Sequence, residues 1–85
     1  MQSYVVVYET ASKANEFKDY LKGLSRWGRL TDNSWLVVTE KSAAQIRDDL
    51  AALKAPGDRV FVVRSGYVAA WSNTRASNDW IKKNI

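Results

Sequence analysis

From Asn33 to Leu53 the chain reads NSWLVVTEKSAAQIRDDLAAL, and its apolar positions change period part-way. Ser34 to Thr39 is short, apolar and β-branched, which suits a strand inside a sheet. Ser42 then stands three residues before Gln45, the spacing at which two side chains satisfy free backbone donors at a helix start. Ala43, Ile46, Leu50 and Leu53 return to one face at helical spacing, while Gln45, Arg47, Asp48 and Asp49 occupy the rest. The block predicts a strand, a capped turn and a helix. Asp48 and Asp49, adjacent on that helix, point roughly 100° apart and read as a solvated face.

The same reading extends to both ends. Ser3 to Glu9 (SYVVVYE) alternates Val5 and Val7 on one side with Tyr4, Val6 and Tyr8 on the other, a central strand covered on both faces. Thr10 to Ser12 breaks it, with Ser12 placed to cap a helix beginning near Lys13. Phe17, Tyr20, Leu21 and Leu24 form that helix's apolar stripe, and Gly23 helps to end it. Ser25 to Leu30 is a short second strand, joined through the turn Thr31-Asp32-Asn33 to Ser34 to Thr39 as a hairpin. Ala55-Pro56-Gly57-Asp58 is a sharp turn before a fourth strand, Arg59 to Arg64. Ser65-Gly66 bends the chain, Tyr67 to Trp71 predicts a fifth short strand, and Ser77 caps a closing helix to Asn84, anchored by Trp80 and Ile81.

The order β–α–β–β–α–β predicts an α+β, ferredoxin-like domain: a four-stranded antiparallel sheet with two helices on one face, plus a short C-terminal strand and helix. One domain spans 1–85, with a core at 1–64 and an extension at 65–85. Two strands are apolar on both faces, yet the two helices can cover only one. The surplus face predicts a homodimer packed sheet against sheet, with Trp35, Val37, Tyr67, Trp71 and Trp80 at the interface and the extension reaching the partner. The competing expectation is that a loop or the C-terminal segment folds back over that face. With so much of the sheet aliphatic, the aromatics read as packing anchors before they read as a base-stacking platform.

Composition then narrows the chemistry. The chain has neither cysteine nor histidine, which removes thiol and Ser–His–Asp catalysis and most zinc sites. Any catalysis falls to carboxylates, hydroxyls, Lys or Arg, with a hard cation such as Mg2+ as the fitting cofactor. Glu9, at the end of the first strand, is the candidate catalytic and metal-binding acid, two copies meeting in a dimer. Thirteen basic residues against nine acidic give a net charge of +4, a bias that permits contact with DNA or RNA. Arg26, Arg29, Arg59, Arg64, Lys82 and Lys83 are the candidate phosphate contacts, doubled in a dimer. No apolar run approaches the roughly 20 residues that span a bilayer, and the start does not read as a signal peptide. The expectation is a cytoplasmic protein.

The runs SYVVVYE, NSWLVVTEKSAAQIRDDL, GDRVFVVRSGYVAAW and DWIKKN together resemble short bacterial proteins labelled SinR-like. Through these the chain resembles the family of CRISPR-associated protein two, the small dimeric partner of the spacer integrase. The resemblance implies a ferredoxin-like protomer, a symmetric dimer and a C-terminal strand that pairs with the other subunit. Some members are metal-dependent nucleases using an aspartate at the end of the first strand, a place held here by Glu9. Its longer side chain moves the carboxylate by about one methylene, a displacement catalysis tolerates poorly. The expected function is a non-catalytic homodimeric interaction module that contacts nucleic-acid backbone. The alternatives are a magnesium-dependent endonuclease using Glu9 of both subunits, and a toxin- or antitoxin-like partner protein.

Overall fold

Alternation along β1 (Gln2–Glu9) divides the molecule. In the computed structural model, which describes residues 1–66 and 68–85, Tyr4, Val6 and Tyr8 are buried, whereas Val7 on the opposite side is 38% exposed. β1 is followed by α1 (Ala14–Lys22), β2 (Arg26–Thr31), β3 (Ser34–Thr39), α2 (Ala43–Leu53), β4 (Arg59–Arg64) and α3 (Asn78–Asn84). All neighbouring strands pair antiparallel, in the order β2-β3-β1-β4. The predicted strands and helices from Ser3 to Arg64 are all present, within a residue or so at each end.

The registers assign each side chain to a face. Val6 lies opposite Trp35 and Val62, and Tyr4 opposite Val37, so these share the side covered by α1 and α2. There they form one core with Phe17, Leu21, Ile46 and Leu50. Tyr8 packs edge-on against Phe17, with ring centroids 5.1 Å apart, and its hydroxyl accepts a hydrogen bond from Trp35 Nε1 at 3.3 Å. Burying both polar tips as one pair leaves neither indole nor phenol unsatisfied. Trp35 and Val37 are fully buried here. Their expected place on a dimer interface is therefore corrected: the pleat turns them under the protomer's own helices.

Local chemistry explains the boundaries. Ser42 and Gln45 form the reciprocal capping box at α2, with bonds of 3.1 and 2.8 Å. At α1 the expected Ser12 cap is corrected: the N-cap is Lys13, with no side-chain cap bond. Thr10 closes the turn before it, accepting the Lys13 N–H at 2.9 Å while its own hydroxyl donates to Asp58 at 2.8 Å. Asp58 also accepts the Ala55 N–H at 2.9 Å, so one carboxylate ties the α1 entry to the turn before β4. Those bonds, the backbone one first, hold the Asp58 carboxyl below its ordinary range. In the turn itself Pro56 is followed by Gly57 at φ 88°, a left-handed position that glycine takes without cost.

A second clasp joins the two helices. Asp49 accepts hydrogen bonds from Lys41 Nζ and the Tyr20 hydroxyl, each at 2.6 Å, and Lys41 lies 5.6 Å from the Tyr20 ring centroid. Asp49 thus departs from the expected solvated face, while Asp48 pairs outward with Arg47. Lys41 and then Tyr20 hold the Asp49 carboxyl below its ordinary range. Burial, reinforced by Asp49, raises the Tyr20 hydroxyl well above the usual phenol range.

The extension departs most from expectation. Val68 to Trp71 form no strand, and Tyr67 lies outside the described residues. A strand exists by pairing, and among the described residues Val68 to Trp71 have no ladder partner. Ser77 caps α3 as predicted, accepting the Trp80 N–H at 3.2 Å. α3 returns to its own sheet, lying against β3 on the face opposite α1 and α2.

Candidate functional site

On that second face, Gly28 and Leu36 lie opposite each other, with Arg26 opposite Val38 and Val5 opposite both Leu36 and Val63. α3 roofs the β2–β3 half. Leu36 and Ile81 are buried, and the Trp80 ring sits directly on Gly28, where an added Cβ would lie 2.5 Å from Cζ3. A glycine in mid-strand is the device that lets the indole approach this closely. Asn84 fixes the far end of the helix. Its side-chain amide donates to the Trp80 carbonyl at 2.8 Å, its Oδ1 accepts from Arg26 at 3.3 Å, and its carbonyl accepts from the Ser3 hydroxyl.

Among the described residues the β1–β4 half has no such roof. Val7, Phe61 and Val63 are 38%, 61% and 44% exposed, with half-buried Val5 between them. At one end of this apolar stripe Glu9 pairs with Arg59 at 3.3 Å, both exposed. The Glu9–Arg59 end opens into a shallow cavity of about 470 Å³ lined by Val7, Tyr8, Val60 and Phe61. Among the described residues no group of three or more His, Cys, Asp and Glu side chains could hold a metal ion. Glu9 brings one carboxylate, already engaged by a guanidinium, where a hard cation takes six or more oxygens.

The expected phosphate contacts divide between two edges. Arg26 lies at the β2 edge beside the C-terminal end of α3, where Lys82 and Lys83 are exposed. Arg29 is on the same edge strand. Arg59 and Arg64 are on β4, at the other edge. Of the expected interface aromatics, Trp80 is half-buried on Gly28, and Trp71 donates from Nε1 to Asn78 at 3.1 Å.

Two residues that sequence reasoning passed over join the β2 side. Trp27 is 40% exposed, its ring centroid 5.4 Å from that of Trp35 and 5.6 Å from Lys22 Nζ. Arg75 crosses to Asp32, and the backbone of Arg75 and Ala76 donates to the carbonyls of Leu30 and Arg29 at 3.2 and 2.9 Å. Trp27 alternates with Gly28 and so falls on the core side of β2, against Trp35. That α1 would stop short of it was not visible.

Compared with protein-family models, with curated proteins and with solved structures, the chain finds no match in any of the three. No helix among the described residues is long and apolar enough to cross a membrane.

Proposed function

We propose that the chain is a non-catalytic homodimeric interaction module of ferredoxin-like type, resembling CRISPR-associated protein two, that contacts nucleic-acid backbone. The observation that carries the dimer is the bare β1–β4 stripe beside the roofed β2–β3 half. A second copy is the occupant that fits. A two-fold axis sets stripe against stripe, and Glu9 and Arg59 supply both signs of charge, so each can meet its opposite across the axis.

Four side chains of this size present a few hundred Å², on the order of the largest apolar patch on a monomer and below the roughly 800 Å² per partner of a stable interface. The remainder is supplied by the open edge of β4 and the segment beyond it, where Val68 is fully exposed. In this reading the segment expected to form a fifth strand acquires its ladder partner from the other subunit. Trp35 and Val37 take no part.

Arg26, Lys82 and Lys83, clustered where α3 ends, support a backbone-contacting surface that the dimer doubles. Glu9, exposed and paired with Arg59, supports the module over a magnesium-dependent nuclease. The reading places the protein in the cytoplasm. Binding to random-sequence duplex, measured against salt, tests it. Affinity that falls steeply with salt, without cleavage when magnesium is added, is expected. Magnesium-dependent cleavage abolished in Glu9→Gln would overturn the non-catalytic reading.

A further inference from the structure

At the β2 edge, Trp27 and Trp80 flank Gly28 from opposite faces of the sheet, and Arg29, Arg75 and Ser77 complete an open cleft of about 440 Å³. The basic side chains here are not neutralised. Arg29 donates to the Asp32 carbonyl at 3.0 Å and lies 3.9 Å from the Asp32 carboxylate, and Arg75 engages that same carboxylate. Two guanidiniums therefore share one acid, leaving a net positive charge in the wall. Arg29 Nε is buried with no hydrogen-bond partner among the described residues, and its guanidinium lies over the Trp35 ring, 5.4 Å from the centroid, which holds the charge in place at the cleft wall.

Trp27 adds the second half of the chemistry. Most core-side residues of the sheet's centre are covered by α1 and α2, but Trp27 stands on the edge strand past the end of α1 at Lys22. An indole exposed at 40% beside two guanidiniums presents a flat π-surface next to an anion site. Aliphatic docking uses neither feature, and a duplex, whose bases are stacked on each other, uses only the charge. An unpaired nucleotide uses both.

We infer that this cleft takes an unpaired nucleotide of single-stranded nucleic acid, its base stacked on Trp27 and its phosphate held by Arg29 and Arg75. The inference rests on the nucleic-acid part of the reading above and adds a second, strand-selective contact to it. Lys22, whose Nζ lies 5.6 Å from the Trp27 ring centroid, swings aside as the base stacks and meets the strand's next phosphate.

The test uses the full chain with three probes: a labelled oligothymidylate, a blunt duplex of equal length, and free thymidine monophosphate. The single strand is expected to bind more tightly than the duplex and to quench tryptophan fluorescence. Trp27→Ala and Arg75→Gln should each weaken the single strand about tenfold and leave the duplex within about twofold. Arg75 is exposed on a surface segment, so its variant keeps the question answerable if Trp27→Ala unfolds. Duplex binding with no single-strand preference, or equal losses for both probes, overturns this inference and leaves the module standing. Free thymidine monophosphate binding as tightly as the oligomer overturns a strand as the ligand. No binding of any probe overturns both readings.

Discussion

The two halves of the sheet face that points away from α1 and α2 carry similar apolar strands but meet different ends. Over β2–β3, a glycine hollow at Gly28 receives Trp80, Ile81 is buried, and Asn84 bolts the helix end to Arg26 and Ser3. Over β1–β4, Phe61, with Val7 and Val63, projects where no glycine makes room and no helix arrives. The difference teaches that cover from within the chain depends on a matched recess as well as on apolar area. Where the recess is missing, a second copy is the proposed cover.

The largest effect separates the core from both halves of this face. Trp35→Ala should cost about 3–5 kcal/mol in denaturant unfolding, by the same amount at every protein concentration, because the indole fills the protomer's own core. A loss that shrinks at low concentration would return Trp35 to an interface.

Next comes the bare half. Phe61→Asp should leave protomer unfolding nearly unchanged but weaken the dimer by about 2 kcal/mol or more, a factor of about 30 in its dissociation constant. Unaltered self-association on sedimentation would move the interface elsewhere. On the roofed half, Gly28→Ala should cost about 1–2 kcal/mol by forcing Trp80 off the strand. Hydrogen exchange should then quicken across Asn78–Asn84 and stay unchanged in β1 and β4.

The smallest effect is a control far from this face. Asp49 has a folded-state pKa depressed by Lys41 and Tyr20. Its contribution is present above the unfolded carboxyl pKa and is lost as pH falls through the lower folded value. Asp49→Asn should therefore flatten the acid limb of the stability profile slightly and change neither self-association nor nucleic-acid binding. A shifted dimer equilibrium would couple the α1–α2 clasp to the interface.

Much of this was legible in the sequence because it is local. Ser42 with Gln45 marks α2, Pro56-Gly57 marks the turn, and the alternation of SYVVVYE fixes a strand apolar on both sides. What escaped depends on distant neighbours. The aromatic strand Ser34–Thr39 has two buried faces, and nothing in its own residues says that the Trp35 side lies beneath helices and the Leu36 side beneath α3. Ser12 has the residue type of a cap, yet α1 starts from Lys13 without a side-chain cap, and the turn before it is held by Thr10 bonded to the distant Asp58. Tyr67 to Trp71 has strand composition, but a strand's existence belongs to its partner. Trp27 and Arg75 are far apart in the chain and meet only through the backbone bonds from Arg75 and Ala76 to β2.

Sedimentation equilibrium of the wild-type chain across the micromolar range bears most directly on the unroofed half. Twice the monomer mass, falling toward the monomer in Phe61→Asp, is the expected result. A wild-type chain that stays monomeric throughout that range would contradict it, since Val7, Phe61 and Val63 would then face water with no second copy to cover them.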